Sequence, residues 1–167
     1  MYYFHVNTGH DNKVPGGMGY WIGSLASAFR KGLEHELAPF DVTPTQWAIL
    51  EMCYRGEANT VSGLARVIPV DAAAISRQLD KLGANGLIHR RRSTRDRRSI
   101  TVRLTQEGRE LAVKLAPCER ANNTKFTDGI TDEELTALIN TIRKMLTNGG
   151  VADHSTAEQE HKRGETK

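Results

Sequence analysis

The sequence holds only two cysteines, Cys53 and Cys118, far apart and outside any CxxC pair. That excludes a disulfide-stapled or zinc-clasped scaffold and fits a reducing compartment. No stretch approaches the roughly 18 consecutive apolar residues of a membrane helix, and no signal-peptide apolar segment is present, so the cytoplasm is the expected location and no membrane partner is expected. The six histidines His5, His10, His35, His89, His154 and His161 share no ligand spacing with one another or with the cysteines, which gives no metal site. GxSxG, P-loop and dinucleotide fingerprints are also missing. With no nucleophile and base to point at, neither an enzyme nor a cofactor is expected.

What is present is charge in one place. Net charge is +3, yet the segment from His89 to Arg103 carries seven arginines against one aspartate, so the rest of the chain is net acidic. This segment lies between Leu87 and Ile88 on one side and Ile100, Val102 and Leu104 on the other, the latter recurring at the period of a half-buried strand. The pattern predicts a basic β-hairpin whose tip suits phosphates or a DNA groove. A solvated charged face is the competing reading of the same arginines.

The neighbouring segment decides between them. From Asp71 to Gly86 the pattern is helical, with Ile75, Leu79 and Leu82 on one face, Asp71 as N-cap and Gly86 as stop. Upstream, Thr60 and Val61 read as a short strand able to pair with the hairpin. Ser62 reads as the cap of a short helix and Ile68 to Val70 as a turn. A short helix, a turn, a second helix and a basic hairpin is the order of a winged helix-turn-helix. Thr43, Pro44 and Gln46 form a capping box that opens an earlier helix with Trp47, Ile49, Leu50 and Cys53 buried and Gly56 closing it.

Three more amphipathic helices flank this core. Met18 to Leu37 is one, ended by Pro39; a second opens at Thr105 and runs toward Pro117, where a kink is expected; a third starts at the Thr131–Glu134 capping box and ends at Gly149 and Gly150. They cannot all pack on a small winged core, so a helical dimer interface is expected. The fold class is thus mainly α with a small β-hairpin wing. Its divisions are an arm at 1–17, a dimerisation helix at 18–42, the DNA-binding core at 43–104, C-terminal dimerisation helices at 105–149 and a disordered tail at 150–167.

These residues resemble the MarR (multiple antibiotic resistance regulator) family. Asp96, Arg98, Leu104, Thr105 and Gly108 look like its DxR wing signature followed by an LT-x-x-G helix start, and VDAAAISRQLDKLGANGLIHR looks like its recognition helix and exit. The resemblance spans about Met18 to Leu146. It implies a ligand-responsive repressor, a homodimer on a pseudo-palindromic operator of double-stranded DNA, released by a small and often phenolic effector. By position Arg98 is the wing-tip arginine in the minor groove and Asp96 the carboxylate orienting it, while Asp96 paired with Arg90 or Arg92 is the alternative.

In the recognition helix, Ser76, Arg77 and Gln78 stand where side chains reach base edges or phosphates. Ala73, Ala74 and Lys81 belong to the same candidate surface, and Arg95 and Arg97 are candidate phosphate neighbours. Ala72 to Ala74 depart from the Ser and Thr of many family members, which shifts specificity toward Arg77, Gln78 and DNA shape. Arg103 reads as a strand surface residue. Trp21, Phe29 and Trp47 either line an effector pocket or are plain core. Two other functions fit the pattern: an oxidant-sensing regulator acting through cysteine, and a winged-helix module that binds acidic proteins rather than DNA.

Overall fold

The computed structural model describes residues 17–92 and 100–151. Residues 1–16 of the expected arm, the wing-tip residues Arg95, Asp96, Arg97 and Arg98, and residues 152–167 of the expected tail lie outside the described residues, while Gly17, expected to close the arm, is the first residue of the N-terminal helix.

The elements follow their caps. Helix α1 spans Gly17–Leu37 and gives way at Pro39 to a single 3₁₀ turn, Ala38–Phe40. Helix α2, Pro44–Arg55, opens on the expected capping box: the Thr43 hydroxyl accepts from Gln46 N while the Gln46 side chain accepts from Thr43 N, and Gly56 closes it. Helix α3 is Val61–Val67 and helix α4 is Ala72–Ala84. Strands β1, Ile88–Arg92, and β2, Ile100–Leu104, form one antiparallel ribbon. Helix α5, Gln106–Thr127, runs through Pro117 without a break, and helix α6, Asp132–Asn148, follows on a second capping box between Thr131 and Glu134.

One expectation is corrected. The cap of α3 is Thr60 rather than Ser62, because the Thr60 hydroxyl accepts from Gly63 N; Val61 is therefore already helical. Thr60 keeps part of its strand role in a single bridge to Thr101, beside which Val102 N donates to Asn59 O at 2.7 Å. One threonine both ends an extended segment and starts a helix, which is compatible because an N-cap residue has extended backbone angles.

A single hydrophobic core joins the parts. It contains Leu37 of α1, Ile49 and Leu50 of α2, Leu64 of α3, Ile75, Leu79 and Leu82 of α4, Val102 and Leu104 of β2, and Ala112 and Leu115 of α5. The flanking helices α1 and α5 thus share the core of the winged region. Asn122 ties them further, its buried amide donating to Phe29 O at 3.1 Å. Helix α6 differs: none of its residues is buried among the described residues.

Candidate nucleic-acid interface

The helix-turn-helix is built by capping and by one apolar face. Asp71 accepts from Ala74 N at 2.6 Å and fixes the start of α4, and Ile75, Leu79 and Leu82 bury its inner face almost completely. The opposite face is left to solvent, and Ala72, Ala73, Arg77, Asp80 and Lys81 are exposed on it. Ala74 and Ser76 are half-buried at its margins. Arg77 and Lys81, one turn apart, put two cations on the same outward stripe.

Gln78 lies in α4 beside Arg77. It is half-buried, and its Oε1 is shut off from solvent without a hydrogen-bond donor. Its carbonyl oxygen therefore faces the protein rather than solvent in this rotamer.

The wing is fastened to α4 and α5 by a compact joint. Gly86 takes the left-handed backbone angle φ 71° that lets the chain reverse out of α4, and Leu87 N donates back to Leu82 O at 2.9 Å. The Thr105 hydroxyl donates to Gly86 O at 2.8 Å and accepts from Gly108 N at 3.0 Å, so one side chain closes the hairpin base and caps α5. Gly108 has to be glycine, since a Cβ there would collide with the Leu87 carbonyl oxygen. These contacts give the Leu104, Thr105 and Gly108 pattern its physical meaning.

Within the ribbon, Ile88 pairs with Leu104, His89 with Arg103, Arg90 with Val102, and Arg91 with Thr101. Ile88, Val102 and Leu104 are buried and Arg90 shares their face in register, itself still partly open to solvent, while His89, Arg91 and Arg103 are exposed on the other face. Arg90 reaches α4: its Nη1 lies 2.8 Å from Asp80 Oδ1 and its Nη2 donates to Ser76 O at 2.9 Å. Arg103 is a strand surface residue, as its phase requires.

The three aromatic residues have separate surroundings. Trp21 is 53% exposed and meets Tyr20 edge-on. Phe29 stacks on Phe126 with ring centroids 4.1 Å apart. Trp47 is core; its indole N–H is buried without a well-formed hydrogen bond, yet it acts on the Glu119 carboxylate. A shallow groove of about 560 Å³ runs along α1 past Gly19, Gly23 and Ser27, and none of the three aromatics lines it.

Sequence reasoning missed the group beside Trp47. Glu119 on α5 is pushed above the usual carboxylate range by burial and then by the nearby Glu51, against the opposing pull of Trp47 and Arg55. Arg55 in turn pairs with Glu51 and lies 3.8 Å from Glu57. Only the fold brings Glu119 to a helix 68 positions upstream, so no local spacing announces it. Cys53, on the same helix as Trp47, donates its thiol to Ala58 O at 3.5 Å, and burial pushes its pKa up to about 11. A thiol held protonated is a poor nucleophile toward oxidants.

Among the described residues no group of three or more His, Cys, Asp or Glu is gathered for a metal ion, and no helix is long and apolar enough to cross a membrane.

Residues 42–100 match the sequence pattern of the MarR family. A transcriptional regulator of that family from Silicibacter pomeroyi has a similar structure at 28% identity, with a TM-score of 0.69 over 80% of this chain and 90% of that one. A mutant MarR from E. coli complexed with operator DNA is similar at 25% identity and a TM-score of 0.71, covering 77% of this chain and 93% of the other. CouR from Rhodococcus jostii RHA1, bound to p-coumaroyl-CoA, shares the fold at 18% identity and a TM-score of 0.69, covering 77% and 91%.

Proposed function

We propose that the chain, whose winged helix-turn-helix is similar to that of MarR-family transcription regulators, is a ligand-responsive repressor binding a pseudo-palindromic operator as a homodimer. The observation that carries the DNA half is α4 itself: a capped helix with a buried apolar face and an outward stripe containing Arg77 and Lys81, flanked by an arginine-rich ribbon. A helix of that kind fits the major groove, and cations beside it suit the phosphates on either side.

In this reading Ala73 and Ala74 lie against base edges, where small apolar side chains favour thymine methyls. Ser76, Arg77, Gln78 and Lys81 supply polar contacts, Gln78 after rotating outward. Arg98, held by Asp96, enters the flanking minor groove, and Arg95 and Arg97 meet phosphates. The dimer half rests on the unburied apolar stripe of α6 and the exposed Trp21, Ile22 and Leu25 of α1. Release by a small effector, with phenolic compounds the first class to test, is part of this reading, taken from the family resemblance; CouR, which shares the fold, has been captured with p-coumaroyl-CoA. The reading assigns the chain no catalysis and puts it in the cytoplasm with the DNA. The buried, protonated Cys53 speaks against an oxidant switch at that thiol.

Anisotropy titrations with duplex DNA test the assignment. Arg98→Ala is expected to weaken binding to a preferred sequence by about 1 to 3 kcal/mol, and Lys81→Ala to weaken all sequences alike while flattening the salt dependence. Unchanged affinity in Arg98→Ala removes the wing contact from the account.

A further inference from the structure

Arginines on a basic ribbon are ordinarily taken together as phosphate contacts, but the register separates Arg90 from its neighbours. It faces inward with Ile88 and Val102, its side chain is only 31% exposed, and both ends of its guanidinium are engaged by α4. Ser76 and Asp80 stand one turn apart on a single face of that helix, so the planar fork spans a full turn, with one nitrogen on a carboxylate and the other on a backbone carbonyl. Asp80 is also the only acidic residue in α4. It is exposed beside Arg77 and Lys81, on the surface that faces phosphates in the reading above.

We propose that Arg90 is a positioning residue that steadies the angle between the wing and the recognition helix through Asp80 and Ser76, while neutralising the one carboxylate that lies within α4. The inference rests on the DNA-binding reading of α4. The second tie between ribbon and helix, Leu87 N to Leu82 O, sits at the far end of α4. Arg90 therefore adds a polar tie on the half of α4 where Ala73, Ser76 and Arg77 stand, beside the buried Ile75 and Leu79 that already anchor the helix in the core.

The sign of the effects separates positioning from charge. Arg90→Lys keeps the cation but loses the fork. Asp80→Ala removes a negative charge from a phosphate-facing surface, which by charge alone tightens binding. Positioning predicts that each weakens binding to a duplex selected by the wild-type chain from a random pool by about tenfold. It further predicts a smaller loss on a scrambled duplex, and a double variant no worse than either single one. Because an ion pair this exposed adds little to stability, the melting temperature is expected to stay near wild type. Hydrogen exchange on the DNA-free protein is expected to quicken over residues 73–80 in both variants.

Wild-type affinity in Arg90→Lys, or tighter binding in Asp80→Ala, overturns the proposal in favour of a simple charge role. Should the wild-type chain select no sequence, the DNA reading falls and the proposal's binding role with it. The exchange measurement still reports separately on whether the Arg90 tie holds α4, and unchanged exchange removes that tie.

Discussion

Glu119 and Cys53 show how burial sets chemistry residue by residue. The Glu119 carboxyl has a folded pKa above its unfolded one, so the folded state holds its proton more tightly. Stability is then lost as pH rises from the usual carboxylate range through the raised value. Glu119→Gln is neutral at every pH and escapes that loss. Its melting temperature is expected to exceed wild type at about pH 7.5, with the gap closing by about pH 3.5; a gap independent of pH means that the carboxylate is not strained by its site. The same scale explains what the sequence concealed. Arg90 and Arg91 are indistinguishable as charges, and only the pairing of Arg90 with the buried Val102 shows which of them turns inward. The alternation of Ile100, Val102 and Leu104, carried across the hairpin, gives the same phase for Arg90. Gln78 was read from helical position alone, which cannot say that its oxygen is shut away from solvent.

Elements were legible where a cap or a stop is chemically specific. Thr43, Asp71 and Thr131 each cap the helix expected of them, because a side-chain oxygen three residues before an amide has few other uses. Thr60 and Ser62 offer the same chemistry two positions apart, and the bridge to Thr101, a long-range contact, decides for Thr60. The joint at Thr105 and Gly108 is the element-scale feature most open to test. Thr105→Ala loses the bond to Gly86 O and the cap of α5, and is expected to cost about 1 to 2 kcal/mol in urea unfolding. Gly108→Ala drives a methyl into the Leu87 carbonyl and is expected to cost about 1 to 3 kcal/mol. Wild-type stability in both variants contradicts the joint. Leu37 of α1 and Leu115 of α5 are fully buried in the same core as Ile75, so these flanking helices and the winged region pack together.

At the scale of the molecule, α6 carries the argument for assembly. Leu138, Ile139, Ile142 and Leu146 are 38–45% exposed on one stripe, and Met18, Trp21, Ile22 and Leu25 of α1 are about as open. Apolar surface of that extent on two helices supports the proposed pairing with a second copy of the chain. Ile139→Asp combined with Ile142→Asp is expected to shift sedimentation from dimer to monomer and to weaken DNA binding steeply, while a variant that stays dimeric removes α6 from the interface. The overall charge of +3 conceals an uneven distribution in the sequence, a basic segment from His89 to Arg103 on a net acidic remainder, which supports the proposed approach to DNA. The most direct test of the central claim is selection of duplexes from a random pool by the intact wild-type chain, followed by sequencing. A sequence-specific homodimer predicts enrichment of an inverted repeat with half-sites centred about 10 base pairs, one helical turn, or a multiple of it apart. A pool that emerges with no enriched sequence contradicts it.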